Sequence, residues 1–244
     1  MERKVRKMIK FPIIENTELY LVGGCVRDYI LGRPNNDRDF VVITELPFKE
    51  LVKQIKKKPH CAVYNAKEEF LTIRCNIRGK IIDLAYPRTE SGYADSRHPD
   101  KVEKTKTLKE DAKRRDFTMN ALYLDKNGYI HDYIGGQLDI TKKIIRTVGD
   151  PKERFKEDYL RILRAIRFSS QLGFNIHIKT REAMYDTKNN LITADTQRIR
   201  EELNKSFIAN SQLTWLNLNN LVLYKILEKK GLKFQVTQKK LERI

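Results

Sequence analysis

Residues 21–39 read LVGGCVRDYILGRPNNDRD, and the fold turns on this stretch. An apolar strand pattern, Leu19–Val22, runs into Gly23-Gly24, and a short helical segment carrying Arg27 follows. Asp37 and Asp39 come next, flanking Arg38 and leading into a second apolar run, Phe40–Ile43. Residues two apart on an extended strand share a face, so these aspartates present two carboxylates side by side. Such a pair is unfavourable unless cations sit between, and divalent metals that take carboxylate and phosphate oxygens supply them. The Gly-Gly turn lets backbone N–H groups approach a phosphate, and the helix start adds positive potential. Taken singly, these parts are a tight turn and a pair of capping aspartates. Together in one short segment they are the layout of a nucleotidyl-transfer site.

Composition narrows the classes. At 244 residues, 40% hydrophobic and 33% charged, the chain can bury a proper core as one large domain or two small ones. A formal charge of +17 and a pI near 9.7 match the electrostatic footprint of a nucleic-acid binder. Many lysines look scattered over solvated faces, whereas arginines recur inside the motifs below. No run approaches the roughly 20 apolar residues of a membrane span. The start, MERKVRKMIKFP, is basic but has no apolar stretch long enough for a signal peptide. Cys25, Cys61 and Cys75 lack metal-ligand spacing, and their odd number argues against a disulfide framework. They read as small core residues in a reducing compartment, and the expected location is cytoplasmic, away from membranes.

Apolar runs with strand character recur at Leu19–Val22, Phe40–Ile43, Cys61–Tyr64, Phe70–Cys75 and Ile81–Ala85. A helical pattern, Pro47–Lys58, carries Leu51, Val52 and Ile55 on one side. Beyond Asp150-Pro151, a good helix start, the pattern is helical: Lys152–Leu172, Lys179–Thr187, Asp195–Ile208 and Leu213–Lys229. The expected organisation is an α/β head over 1–150 and a helical region over 151–244. Tyr86–Lys106, rich in charge, Gly and Pro and weakly periodic, reads as a long irregular connection.

Four further segments bear on chemistry. Asp83, in the strand pattern IIDLA (81–85), is either a third carboxylate beside the pair or a strand-end turn residue. In RRDFTMNALYLD (114–125), Arg115 can clamp phosphate oxygens, and Asp116 with Asn120 can bond a ribose hydroxyl. HDYIGGQLDI (131–140) combines acids with a second Gly-Gly. In DPKERFKEDYLRILRAIRFSSQLGF (150–174), Asp158, Arg161, Arg164 and Arg167 recur at spacings of three, neighbours on one side of a helix. That spacing suits a surface ion pair with a basic flank. It also suits an edge that accepts through Asp158 and donates through Arg161. Cytosine and adenine offer an amino donor beside a ring-nitrogen acceptor and fit that edge; uracil and guanine offer the opposite order and leave polar groups unpaired.

In this order, these segments resemble the motifs of the class II CCA-adding enzyme and bacterial poly(A) polymerase family, within the polymerase β-like nucleotidyltransferases. The resemblance covers roughly residues 19–208. It implies an α/β head of mixed sheet and helices, an all-α neck and a minimal helical body. It implies Mg²⁺ held by Asp37 and Asp39, and nucleotide contacts from Gly23, Gly24, Arg27, Arg115, Asp116 and Asn120. Asp158 and Arg161 fall on the family's Glu-Asp-x-x-Arg base-pairing motif, with Arg164 and Arg167 assisting at phosphates or in pocket geometry. HDYIGGQLDI matches a linker between head and neck, and a flexible loop is expected at about 86–106, most recognisably 88–102. TADTQRIREEL (193–203) resembles the final motif, but Gln197 stands where an acid usually precedes Arg-Ile. A neutral hydrogen bond then replaces a helix-stabilising ion pair, and Arg198 has no assured role.

Relatives carry a further helical body and tail that grip the tRNA elbow. Only a short Leu- and Lys-rich segment follows the final motif here, so a minimal body and essentially no tail are expected. The implied activity is addition of CCA, or part of it, to a tRNA 3′ end from CTP and ATP. The alternative within the family is a poly(A) polymerase. A catalytically idle RNA-binding module has no reason to keep Asp37, Asp39, Asp158 and Arg161.

Overall fold

The computed structural model describes residues 13–232 and 234; the basic start read above, residues 1–12, and most of the residues beyond 232 lie outside them. The chain divides into two compact units between Asp150 and Pro151. Strands β1 (Glu18–Val22), β2 (Asp39–Ile43), β3 (Cys61–Lys67), β4 (Thr72–Ile77), β5 (Lys80–Ala85), β8 (Leu122–Leu124) and β9 (Ile130–Asp132) of the first unit form one seven-stranded sheet. Its order is β3-β4-β5-β2-β1-β8-β9. All pairings are antiparallel except β2 with β5, which run parallel. Phe40, Val41 and Val42 of β2 are each at most 1% exposed, as a strand covered on both faces requires. Helix α1 (Gly24–Ile30) follows β1, and α2 (Phe48–Lys57) buries Phe48, Leu51 and Ile55 on one stripe.

Arg78 and Gly79, with φ of 52° and 79°, form a two-residue turn that joins β4 to β5 and matches the twist of the strands. The Asn76 side chain accepts the Gly79 N–H at 2.8 Å. This turn sets Arg74 directly opposite Asp83.

The expected irregular connection at 86–106 is a β-hairpin. Strand β6 (Arg88–Ser91) pairs antiparallel with β7 (Lys101–Lys104), Arg88 opposite Lys104, and the segment between them forms the tip. The ribbon is polar on both faces, so no apolar period marks it in the sequence; its backbone ladder holds it. Helix α3 (Leu108–Lys113) follows, capped by the Thr107 side chain.

HDYIGGQLDI lies wholly within the first unit rather than linking two. Asp132 receives the backbone N–H groups of Ile134, Gly135, Gly136 and Gln137 at 2.9–3.2 Å, satisfying the start of α4 (Gly136–Thr141). A side chain at Gly136 would collide with the Thr118 carbonyl, so this glycine permits α4 to dock on the RRDFTMNA segment. Asp139 then receives Thr118 Oγ1 at 2.6 Å and Arg146 Nε at 3.0 Å.

The second unit is helical. The single helix expected over 152–172 is two, α5 (Pro151–Glu157) and α6 (Leu160–Leu172). Asp158 breaks it by turning its carboxylate onto the Leu160 N–H at 2.9 Å, a local bond that competes with helix continuation. Helices α7 (Ile178–Thr187) and α8 (Thr196–Ala209) follow, the latter capped by Asp195. The helix expected over 213–229 is also two, α9 (Ser211–Asn220) and α10 (Leu223–Lys229), parted where Val222 takes φ 55°. Buried hydroxyls of Ser170 on α6, Ser206 on α8 and Thr214 on α9 bond one another at 2.8–3.2 Å. No helix among the described residues is long and apolar enough to cross a membrane.

Candidate active site

The parallel pairing of β2 with β5 sets Asp39 directly opposite Asp83, with the Asp83 N–H donating to the Arg38 carbonyl at 3.0 Å. Asp83 is therefore the neighbour of Asp39, one of the two readings left open by the sequence. Asp37 stands just before the strand, not on it; its N–H donates to Asn35 Oδ1 at 2.7 Å in a side-chain-capped turn. Burial, then Asp83, then Asp37 push the Asp39 carboxyl up to about 6, against the pull of Arg115 and Arg74. Asp83 has one modest partner, Arg74 at 3.4 Å, and both side chains are about half exposed.

Asp39 and Asp83 line a cavity of about 460 Å³ whose other walls carry Lys67, Arg74, Arg88, Arg114 and Arg115. A dense cationic wall opposite two acids suits a polyanion that arrives with its own cations. Among the described residues no group of three or more His, Cys, Asp or Glu is set to hold a metal unaided. Mg²⁺ does not require that: it keeps waters and takes one or two carboxylates together with substrate phosphates. The crowded acids at Asp39 fit that role by their chemistry.

Gly23 opens α1 with φ 84°, a conformation that side chains other than glycine rarely adopt. Arg27, 6% exposed, is not directed at solvent: Nε donates to Asp28 at 2.9 Å and Nη1 to Asn120 Oδ1 at 2.8 Å. Asn35 donates to the other Asp28 oxygen at 2.6 Å, and Asn120 Nδ2 donates to Asp116 at 3.3 Å. One buried chain of bonds thus joins the Gly-Gly segment to the RRDFTMNA segment. Nothing in the spacing of the two segments foretells this link, which spans 93 residues.

Arg115 is clamped by Asp111, whose Oδ2 receives Nε at 3.2 Å and Nη2 at 2.8 Å, and its guanidinium carbon lies 5.2 Å from the centre of the Tyr123 ring. Burial pushes the Asp111 carboxyl up, but Arg115 and Arg114 prevail and hold it well below the usual carboxylate range. Cys25 and Cys75 are buried and Cys61 partly so, all three free. Burial, with Asp39 nearby, raises the Cys25 thiol to about 11, so it is inert packing.

Asp158 and Arg161 share one turn, the Arg161 N–H donating to the Asp158 carbonyl at 3.0 Å, but their side chains have separate partners. Arg161 Nη1 donates to Glu157 Oε2 at 2.5 Å and to the Arg154 carbonyl at 2.9 Å. Asp158 Oδ2 receives Arg198 Nη2 at 3.0 Å. Arg198 therefore has a definite partner despite Gln197, whose amide donates to Glu201 at 3.4 Å. Arg167 ties α6 to α8 through Glu202 at 2.6 Å and lies 4.2 Å from the centre of the Phe168 ring; Arg164 lies over the same ring at 5.5 Å.

Lys67, Arg74, Arg114, Glu157 and Arg198 were not singled out as site residues by sequence. Arg74 had a signal: the Arg78-Gly79 turn fixes the register that places it against Asp83. Lys67 had none.

Residues 19–146 match the poly A polymerase head domain, and 173–228 match a model described as a probable RNA- and SrmB-binding site of polymerase A. A CCA-adding enzyme of Lactiplantibacillus plantarum is 43% identical over 199 residues, covering 80% of this chain and 47% of that protein. The crystal structure of the Bacillus stearothermophilus CCA-adding enzyme in complex with CTP is similar at 34% identity and TM-score 0.68, covering 78% of this chain and 44% of that one. The Thermotoga maritima CCA-adding enzyme complexed with tRNA is similar at 27% identity and TM-score 0.76, covering 97% of this chain and 57% of that one. The chain spans about half the length of the curated relatives it matches. By its head domain and its ordered motifs, the chain belongs to the CCA-adding enzyme and poly(A) polymerase family of nucleotidyltransferases.

Proposed function

We propose that the chain adds nucleotides, CCA or part of it, to the 3′ end of tRNA from CTP and ATP without a nucleic-acid template. The observation that carries this reading is the parallel register of Asp39 with Asp83 on the wall of a guanidinium-lined cavity. Solved relatives bound to CTP and to tRNA support the substrate classes.

Asp37 and Asp39, with Asp83 beside them, are the residues that would hold Mg²⁺. When bound, that metal lowers the pKa of the attacking 3′-hydroxyl and neutralises the triphosphate and departing pyrophosphate. The chain does the rest by position. Arg115, with Arg114, Arg74 and Lys67 on the same wall, receives phosphate oxygens. Gly23 and Gly24 leave the backbone open to a phosphate, and Arg27 holds Asn120 in place. Asp116 and Asn120 orient the ribose.

Base choice falls to Asp158 as acceptor and Arg161 as donor, with Arg164 and Arg167 shaping the adjoining helix. The side chains leave their present partners, Arg198 and Glu157, or share them, when a base pairs. The basic chain, at +17, binds the RNA backbone in a salt-dependent way.

The test is to incubate tRNA lacking its 3′ CCA with the chain, Mg²⁺ and CTP, ATP or both, and to sequence the 3′ ends. Addition of C residues from CTP, completed by a single A from ATP, supports the proposal. Long A tracts made without CTP would instead favour poly(A) synthesis, the activity for which the matching head family is named. No extension under any condition overturns the transferase reading of this chain.

A further inference from the structure

Asp111 is fully shielded from solvent, and its two oxygens serve two different structures. Oδ2 receives Arg115 Nε and Nη2 and the Tyr123 hydroxyl, the last at 2.8 Å; that hydroxyl also accepts from Arg115 Nε at 3.1 Å. Oδ1 receives Arg114 Nε at 2.7 Å and the backbone N–H of Arg88 at 3.3 Å. Arg114 Nη1 continues to Glu90 at 3.0 Å, and Arg88 Nε reaches the same Glu90 oxygen at 2.8 Å. Arg88 and Glu90 are the root of the β6–β7 hairpin. The carboxylate takes up Arg115's Nε and Nη2 edge, and Arg115 stands on the wall of the cavity that Asp39 and Asp83 line, close enough to pull on the Asp39 carboxyl.

We propose that Asp111 is a positioning residue for the incoming nucleotide: it aims Arg115 at the triphosphate and ties that aim to the root of the hairpin. The proposal rests on the reading that the cavity takes a nucleoside triphosphate. A guanidinium on a flexible stem holds a phosphate well only when its orientation is set beforehand, and a buried pair of hydrogen bonds to a carboxylate sets it. Because the second oxygen grips Arg88 and Arg114, a displacement of the hairpin root is passed to Arg115 through one rigid group. Arg115 touches the substrate; Asp111 acts through it.

Direct binding of CTP and of ATP to the full chain, with Mg²⁺ and by calorimetry, separates this from a general stabilising role. Asp111→Asn is expected to weaken binding about tenfold, as is Arg115→Lys, and the double variant should bind no more weakly than Arg115→Lys alone. Glu90→Gln should weaken binding about threefold in the otherwise unaltered chain and not at all alongside Asp111→Asn. Should Asp111→Asn fail to fold, Tyr123→Phe, which keeps the ring and removes the hydroxyl's two bonds, to Asp111 and from Arg115, is expected to weaken binding about threefold. Losses that multiply in the double variant, or full affinity in folded Asp111→Asn or Tyr123→Phe, overturn the inference while leaving the site reading intact. Failure of the unaltered chain to bind either nucleotide overturns both.

Discussion

Replacing Asp39 by Asn should make the metal-free protein more stable while removing its activity. In the folded chain the Asp39 carboxyl is pushed from its ordinary 3.8 up to about 6, first by burial and then by Asp83 and Asp37. A rise of about 2 units corresponds to about 3 kcal/mol between the two protonation states. A carboxyl with a raised folded pKa is favoured while protonated. Below pH 3.8 it therefore carries no penalty, between 3.8 and about 6 stability falls as pH rises, and above about 6 the whole penalty is present. The near-isosteric amide removes the charge but brings an NH₂ that needs a partner. About 1–2 kcal/mol of the penalty should be recovered, a rise in melting temperature of about 4 °C. The assay is thermal unfolding in EDTA at pH 7.5 and pH 4, with and without added Mg²⁺ in chelator-free buffer. The variant should melt higher at pH 7.5 and level with the parent near pH 4, and Mg²⁺ should raise the parent alone. Equal melting at pH 7.5, or a difference that persists unchanged at pH 4, would refute the claim that this acid cluster is strained and poised for a cation.

If the same carboxylates hold the metal as proposed, Asp37→Asn and Asp39→Asn should each slow transfer at least about 10³-fold, about 4 kcal/mol of barrier, in single-turnover assays with Mg²⁺. Near-parental rates would remove the metal assignment. Asp158→Ala and Arg161→Ala should relax the preference for C and A over U and G more than they weaken triphosphate binding, read by incorporation of all four nucleotides. A uniformly slower enzyme with its preference intact would leave only a surface ion pair. Arg198→Ala, which frees Asp158 Oδ2, should shift base preference in the same assay while the fold persists. An unaltered preference would confine Arg198 to packing. Deleting Gly92–Arg97 at the hairpin tip should spare C addition and stop the terminal A, if movement of this hairpin is what reshapes one pocket between a pyrimidine and a purine. Terminal A addition at the parental rate would take the hairpin out of that role.

Much of this was legible because motif and pattern coincide. The apolar run at Phe40–Ile43 and the Gly-Gly turn before Arg27 identify the centre of the sheet, and both lie where expected. The hairpin at 88–104 was not legible: its strands RTES and KVEK bury no apolar face, so only a backbone ladder distinguishes them from loop. The breaks at Asp158 and Val222 were missed for opposite reasons. Asp158 favours a cap over a helix interior, a preference that composition signals but spacing hides. Val222 takes a left-handed conformation that its branched side chain disfavours, and nothing local predicts it. At the site, residue types were readable but their partners were not. Arg27 and Asn120 are 93 residues apart, and only the folded chain shows that one holds the other.

That separation bears on how the protein comes into being. A chain emerging from the ribosome carries Gly23, Arg27, Asp37 and Asp39 long before it carries the groups that complete them. Asp83 arrives with β5, in the slow, non-local parallel pairing, and Asn120 later still, after the hairpin and α3. Until then Asp39 has no acidic neighbour across the sheet and Arg27 has no amide to hold. Chemistry is thereby deferred to the end of head synthesis. A half-made head therefore has its acids and arginines but not yet the pairs that complete them.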